Sequence, residues 1–377
     1  MELPPFLLDQ WLSLATEREV TFHLGGSTDP QWTLGELLAL DGDNALARLL
    51  SSDVAYGLTA GRRDLREAIA DMHRVPTEHV LVVNGGSEAL LHLFFLAARP
   101  GANVVVPFPG FPPYQAIPAS LGVEVRVYHL RREHRHRLDP DEVMRLVDAD
   151  TTLVLVNSPH NPTGTVPTDA EMRMLHDFLV DRGVQFACDE VFHPIYHGHD
   201  RASASSLPGA TVIGDASKAL SLPGLRIGWL VEPDDRRRGQ YLNAREYFSI
   251  SNAVVGEYFA EIAIRHRDEI LGRTREVAQR NLAHLERLVD EHAETLEWVR
   301  PEGGMTAFIR LCGGEDARPL CEAALADGLL ITPGDCFGVP DHFRLGFGAE
   351  RERFPEAMAC LRKTLTRWTR AGARAPA

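Results

Sequence analysis

Short β-branched runs alternate along this chain with longer stretches whose apolar residues recur at helical spacing. The first clear run, 80–83 (VLVV), ends on Asn84, Gly85 and Gly86, and Ser87 and Glu88 then open a strongly apolar helical stretch. The succession repeats. Strands are predicted at 103–106, before the turn PFPGFPPYQA, at 124–128, through TTLVLVN into the turn SPHNPTG, through VQFACDE, and at 211–215 (TVIGD). Helices are predicted at 62–72, 140–147 and 169–182. From 234 to about 292 the pattern is helical, with a break near SISNAVV. The rest reads as strand EWVRP, strand GGMTAFIRL, a helix over 319–327, strand HFRLGF and a last helix to about Arg370.

Strands alternating with helices imply a mainly parallel sheet. The fold class is therefore α/β: a large doubly wound domain over 41–285 and a smaller α+β domain over 286–377. Residues 1–40 form a segment that packs with the small domain or covers the site. It begins with an amphipathic stretch (LLDQWLSLATEREV) and bends at Gly25–Gly26.

Composition narrows the classes. Of 377 residues, 44% are hydrophobic and 24% charged, as in ordinary globular proteins. A net charge of −14 disfavours nucleic acid as a partner, since phosphate needs a basic face. The five cysteines lack metal-ligand spacing, so no metal is expected and a reduced, cytoplasmic protein is. No signal peptide and no membrane-length apolar run is evident.

The chemistry gathers where the predicted strands end. The chain has two lysines, Lys218 and Lys363, against 37 arginines. An amine can lose its proton and attack a carbonyl, which a guanidinium effectively cannot. Lys218 follows the run TVIGD, and Arg226 opens the run IGWLV. This pair suits an aldehyde-bearing phosphate cofactor, the amine taking the aldehyde and the guanidinium the phosphate. The Gly85–Gly86–Ser87 turn before a helix is an anion site by construction. Phe111 or Tyr114 is placed to stack on a flat ring or to pack in the core. Asn161 can point its amide into the site. Asp189 ends a buried run, where a carboxylate can keep a pyridine nitrogen protonated. Arg344 interrupts an apolar strand and needs an anionic partner, either a substrate carboxylate or a structural salt bridge. Tyr56, in a glycine-bounded loop, is a core residue or a reaching one. Glu17, Glu19 and Asp29 are acidic candidates for touching a substrate.

These residues resemble those of the class I/II aminotransferases, the fold-type-I enzymes that use pyridoxal 5′-phosphate, over nearly the whole chain. The resemblance implies that Lys218 forms the Schiff base and removes the Cα proton. Arg226, Ser217, Gly86 and Ser87 would hold the phosphate, Phe111 would stack on the ring, and Asn161 would bond the phenolic oxygen. Asp189 would face the pyridine nitrogen and Arg344 the substrate α-carboxylate. Tyr56 would reach the neighbouring subunit's phosphate in a homodimer with shared active sites.

Two positions depart from the family. Phe192 stands where the family has a tyrosine, and Asp215 where it has serine or threonine. A carboxylate beside a phosphate dianion is repulsive, so Asp215 is expected to turn to the substrate and pair with a cationic side chain. A narrower resemblance lies in WTLGELLALD, GGSEALLHL, REYFSIS, EGGMTAF and LCEAALADGLLITPGDCFG. It is to members that eliminate the hydroxyl of a hydroxylated arginine and close a guanidine-containing ring in antibiotic biosynthesis. The expected function is elimination or cyclisation of an arginine-like amino acid, with Asp215, Gly26 and Glu17 in the substrate site. The alternatives are conventional transamination with a 2-oxo acid and a non-catalytic cofactor-binding module.

Overall fold

The computed structural model describes residues 2–28 and 30–372. Asp29 lies outside the described residues. The central element is a seven-stranded sheet in the order Val80–Val83, Gly228–Val231, Thr211–Asp215, Gln185–Asp189, Thr151–Asn157, Asn103–Phe108, Glu124–His129. All neighbours run parallel except Gly228–Val231, which is antiparallel to both of its partners. Period-two alternation divides the buried residues of these strands between two layers. Leu81, Val83, Val104 and Val106 pack with the helix Gly86–Ala97, whereas Val80, Val82 and Val105 join the opposite core. Helices on both faces make the sheet doubly wound, as expected.

A smaller antiparallel sheet has the order Thr332–Pro333, His342–Gly346, Thr306–Leu311, Leu296–Trp298. The predicted long helical region is three helices, Asp235–Phe248, Val254–Arg265 and Arg267–Glu291. The first break is the one the sequence marks. The second, at His266 (φ −102°, ψ 25°), has no glycine or proline to announce it.

The N-terminal helix Leu7–Glu17 docks through buried Leu8 and Trp11, and the Trp11 indole N–H donates to the Ile331 carbonyl at 2.8 Å. Beyond it, Phe22–His23 pairs in parallel with Leu329–Leu330. The next helix, Leu34–Leu40, starts at a capping box in which the Thr33 hydroxyl and the Glu36 carboxylate satisfy each other's backbone N–H. The chain therefore begins against the small sheet before it enters the large one. Among the described residues no helix is long and apolar enough to cross a membrane, and no group of three His, Cys, Asp or Glu could hold a metal.

Candidate active site

The carboxyl ends of the parallel strands open on a cavity of about 330 Å³. Open α/β sheets bind ligands at this edge because the strand ends and the first turns of the following helices leave polar groups unused. Strand Gln185–Asp189 delivers Asp189, strand Thr211–Asp215 delivers Asp215, and the turn after it delivers Ser217 and Lys218. Gly86 and Ser87 line the cavity from the helix start, and Arg226 from the turn before Gly228–Val231. Phe111, Asn161, Phe192 and Arg344 complete the wall.

Lys218 Nζ donates to the Ser27 hydroxyl at 3.0 Å. Burial pushes the amine down to about 8 from 10.5, against the opposing pull of Asp215. Asp189 accepts from the Tyr114 hydroxyl at 2.7 Å and from the Val191 N–H at 3.1 Å. Burial pushes its carboxyl up to about 6, and the Tyr114 bond works against that rise. It is therefore mostly ionised at neutral pH.

Arg344 is 2% exposed within the strand His342–Gly346. Its Nη1 donates to Asn161 Oδ1 at 3.1 Å and its Nη2 to the Gly25 carbonyl. Among the described residues it has no carboxylate partner, and its Nε has no hydrogen-bond acceptor. Burial lowers the guanidinium to about 10, which leaves it charged at neutral pH. A buried cation held only by neutral oxygens favours an incoming anion.

Gly85 precedes the helix Gly86–Ala97 with φ +80° and ψ 168°, a conformation open essentially to glycine alone. A Cβ there would meet Arg226 Nη2 at 2.4 Å, so the guanidinium lies directly over the turn. Arg226 Nη1 also approaches the Ser217 hydroxyl at 3.5 Å.

Asp215 lines the cavity, and its two carboxylate oxygens accept from the N–H groups of Gly86 and Ser217 at the start of the helix. Chain geometry is the reason: the residue sits at the end of its strand, facing the start of the helix. Glu17 is exposed at the end of the N-terminal helix, and neither it nor Gly26 lines the cavity. Tyr56 is 84% exposed and outside it as well. The sequence reading left out Phe6, Leu8, Asp9 and Leu12, which the N-terminal helix and its approach bring to the wall. Phe6 meets Phe111 edge-on, with ring centroids 6.0 Å apart. It also left out Ser27 and the Tyr114–Asp189 bond.

An amine of lowered basicity, a carboxylate at the far end of one cleft, an aromatic wall and a helix start beside a guanidinium together fit pyridoxal phosphate. That combination defines a pyridoxal-phosphate enzyme, and comparison with known proteins places it more closely. A model of the family "Aminotransferase class I and II" matches residues 43–361, and the chain belongs to this family. It is 31% identical to capreomycidine synthase of Streptomyces vinaceus, over 96% of this chain and 94% of that one. It is 28% identical to an arginine–pyruvate transaminase of Pseudomonas aeruginosa, over 85% of this chain and 84% of that one. Among solved structures, the pyridoxal-phosphate-dependent cyclase OrfR superposes with a TM-score of 0.88 at 27% identity, covering 98% of each chain.

Proposed function

We propose that the protein takes an arginine-like amino acid bearing a β-hydroxyl, removes its Cα proton, expels the hydroxyl and closes a guanidine-containing ring. The observation that carries the reading is the meeting of Lys218, Asp189 and uncompensated Arg344 around one cavity. Likeness to capreomycidine synthase and to a cyclase supports the outcome.

The residues divide the work. Arg344 holds the substrate carboxylate with paired N–H···O bonds and so fixes the Cα–H bond relative to Lys218. Lys218, close to half-deprotonated near pH 8, is the base that takes the Cα proton. Bound at this site, the cofactor supplies an electron sink for the carbanion. Asp189, ionised above about pH 6, keeps that sink cationic. Phe6, Leu8 and Leu12 keep water from the reacting carbon. Asp9 is the carboxylate that the N-terminal helix adds to the wall, and it is placed for a substrate guanidinium. Over the whole reaction one water leaves.

Exposed Tyr56 stands near other exposed apolar residues, Val54 and Leu58 among them, and it reaches a second copy of the chain in a homodimer.

The test is to incubate holoenzyme with a β-hydroxyarginine and no 2-oxo acid, and to weigh the product. A product lighter by one water supports the proposal. A requirement for a 2-oxo acid, with the amino group passed to it, establishes transamination instead. Likeness to the arginine–pyruvate transaminase favours that second reading.

A further inference from the structure

Resting on the cofactor assignment above, we propose that Asp215 makes the phosphate cradle a two-acid site. The cofactor phosphate enters it with one proton held between a phosphate oxygen and the Asp215 carboxyl. In place of a neutral hydroxyl, this chain carries its own anion where the phosphate must sit.

The geometry is specific. Gly86 N–H points at Asp215 Oδ2 and Ser217 N–H at Oδ1, so the carboxylate bridges the helix start to the turn before Lys218. Asp215 is 8% exposed. A Cβ on Gly86 would lie 3.1 Å from Asp215 Oδ2, and one on Gly85 would lie 2.4 Å from Arg226 Nη2 and 3.5 Å from Asp215 Oδ2. Carboxylate, guanidinium and helix N–H therefore converge on one spot. A phosphate bonded to these donors comes within hydrogen-bond reach of the carboxylate. Two anionic oxygens at that separation repel, and a single shared proton turns the repulsion into a short charge-assisted bond.

The surroundings leave the excess charge uncancelled. Arg226 faces Asp215 as a cation and Lys218 does so below about pH 8, but Asp189 adds a further negative charge on the cavity side. Behind the strand lie Glu190, His73 and His193. Burial holds His73 down at about 3, so it contributes no positive charge at neutral pH. Glu190 is tied to the Ser203 hydroxyl and the Ala204 N–H, each at 2.6 Å, and does not turn to the cradle. Docking the phosphate dianion then takes up one proton from solvent, which forms the shared O–H bond.

The test uses cofactor-depleted protein titrated with pyridoxine 5′-phosphate, whose alcohol cannot react with Lys218, so that only the ring and phosphate contacts are read. Affinity is measured by equilibrium dialysis from about pH 6.5 to about pH 9, with the ³¹P resonance of the bound phosphate followed in parallel. In the native protein the dissociation constant rises roughly tenfold per pH unit once the free phosphate is dianionic, and the bound resonance stays at its protonated position. In Asp215→Ser and Asp215→Asn the slope flattens, and binding at the alkaline end is tighter than native by roughly tenfold or more. Melting of the cofactor-depleted variants is recorded alongside. Loss of the carboxylate lowers it, because two N–H groups lose an ionised acceptor, while affinity rises. Opposite signs of the two effects support the proposal. If affinity and melting fall together, or if the native slope is already flat, it is overturned. Native protein that binds neither this analogue nor pyridoxal 5′-phosphate would refute the cofactor assignment itself, a result distinct from a flat slope.

Discussion

Tyr114 donates a 2.7 Å hydrogen bond to Asp189, and both side chains are buried in the wall of the cavity. The bond favours the ionised carboxyl and offsets part of the rise that burial imposes. In Tyr114→Phe the Asp189 carboxyl therefore moves above about 6, and less of it is ionised at neutral pH. The acid limb of the kcat profile shifts to higher pH, and kcat near neutrality falls roughly tenfold. A pH–rate profile checks this. An unmoved acid limb would separate Asp189 from the chemistry.

On the proposed reading Lys218 is the base, so Lys218→Ala lowers turnover by roughly a thousandfold or more while the fold is kept. Lys218→Arg restores the charge and not the activity. Burial has pushed the amine down to about 8, so its free-base fraction grows as pH rises through that value and levels off about one unit above it. The rate at which native protein captures pyridoxal 5′-phosphate, read by absorbance, follows the same rise.

On the proposed reading Arg344 anchors the substrate carboxylate. Arg344→Ala loses charge-assisted bonds, and kcat/KM falls by roughly ten- to a hundredfold or more. Amines that lack the carboxylate show no such loss. Steady-state kinetics with matched amino acid and amine pairs decides it.

Asp9 lies on the exposed rim, so its contribution is modest. Asp9→Asn raises KM for guanidinium-bearing substrates by roughly three- to tenfold and leaves uncharged amino acids of similar length unaffected. Equal effects on both classes would rule out a guanidinium contact.

Gly85→Ala forces a side chain into a backbone region that costs about 1–3 kcal/mol for an L-residue, and it drives Arg226 from its place. Cofactor affinity falls with it, and excess pyridoxal 5′-phosphate restores the loss in part. A dialysis measurement reports the change.

The sequence was most legible where local physics sets the outcome. Strand ends at Asp189 and Asp215, the glycine turn at Gly85 and the lone mid-chain lysine each follow from short-range pattern, and the structure brings them to one edge. Contacts made across the chain were not legible. Leu8 and Leu12 read as one face of an amphipathic helix, and nothing local says that the helix lies over a cavity built some two hundred residues later. The partners of Asp215 were not legible because charge repulsion was weighed without the two N–H groups that the helix start and the lysine turn aim at it. Tyr114 sat between core and site because its partner is 75 residues away.

Pairing of Phe22–His23 with Leu329–Leu330 has a mechanical consequence. Residues Phe6 to Leu12 precede this two-stranded pairing, and Gly25, just beyond it, accepts a bond from Arg344 of the neighbouring four-stranded sheet. The N-terminal wall of the cavity and the arginine that faces it are thus joined through one short run of backbone.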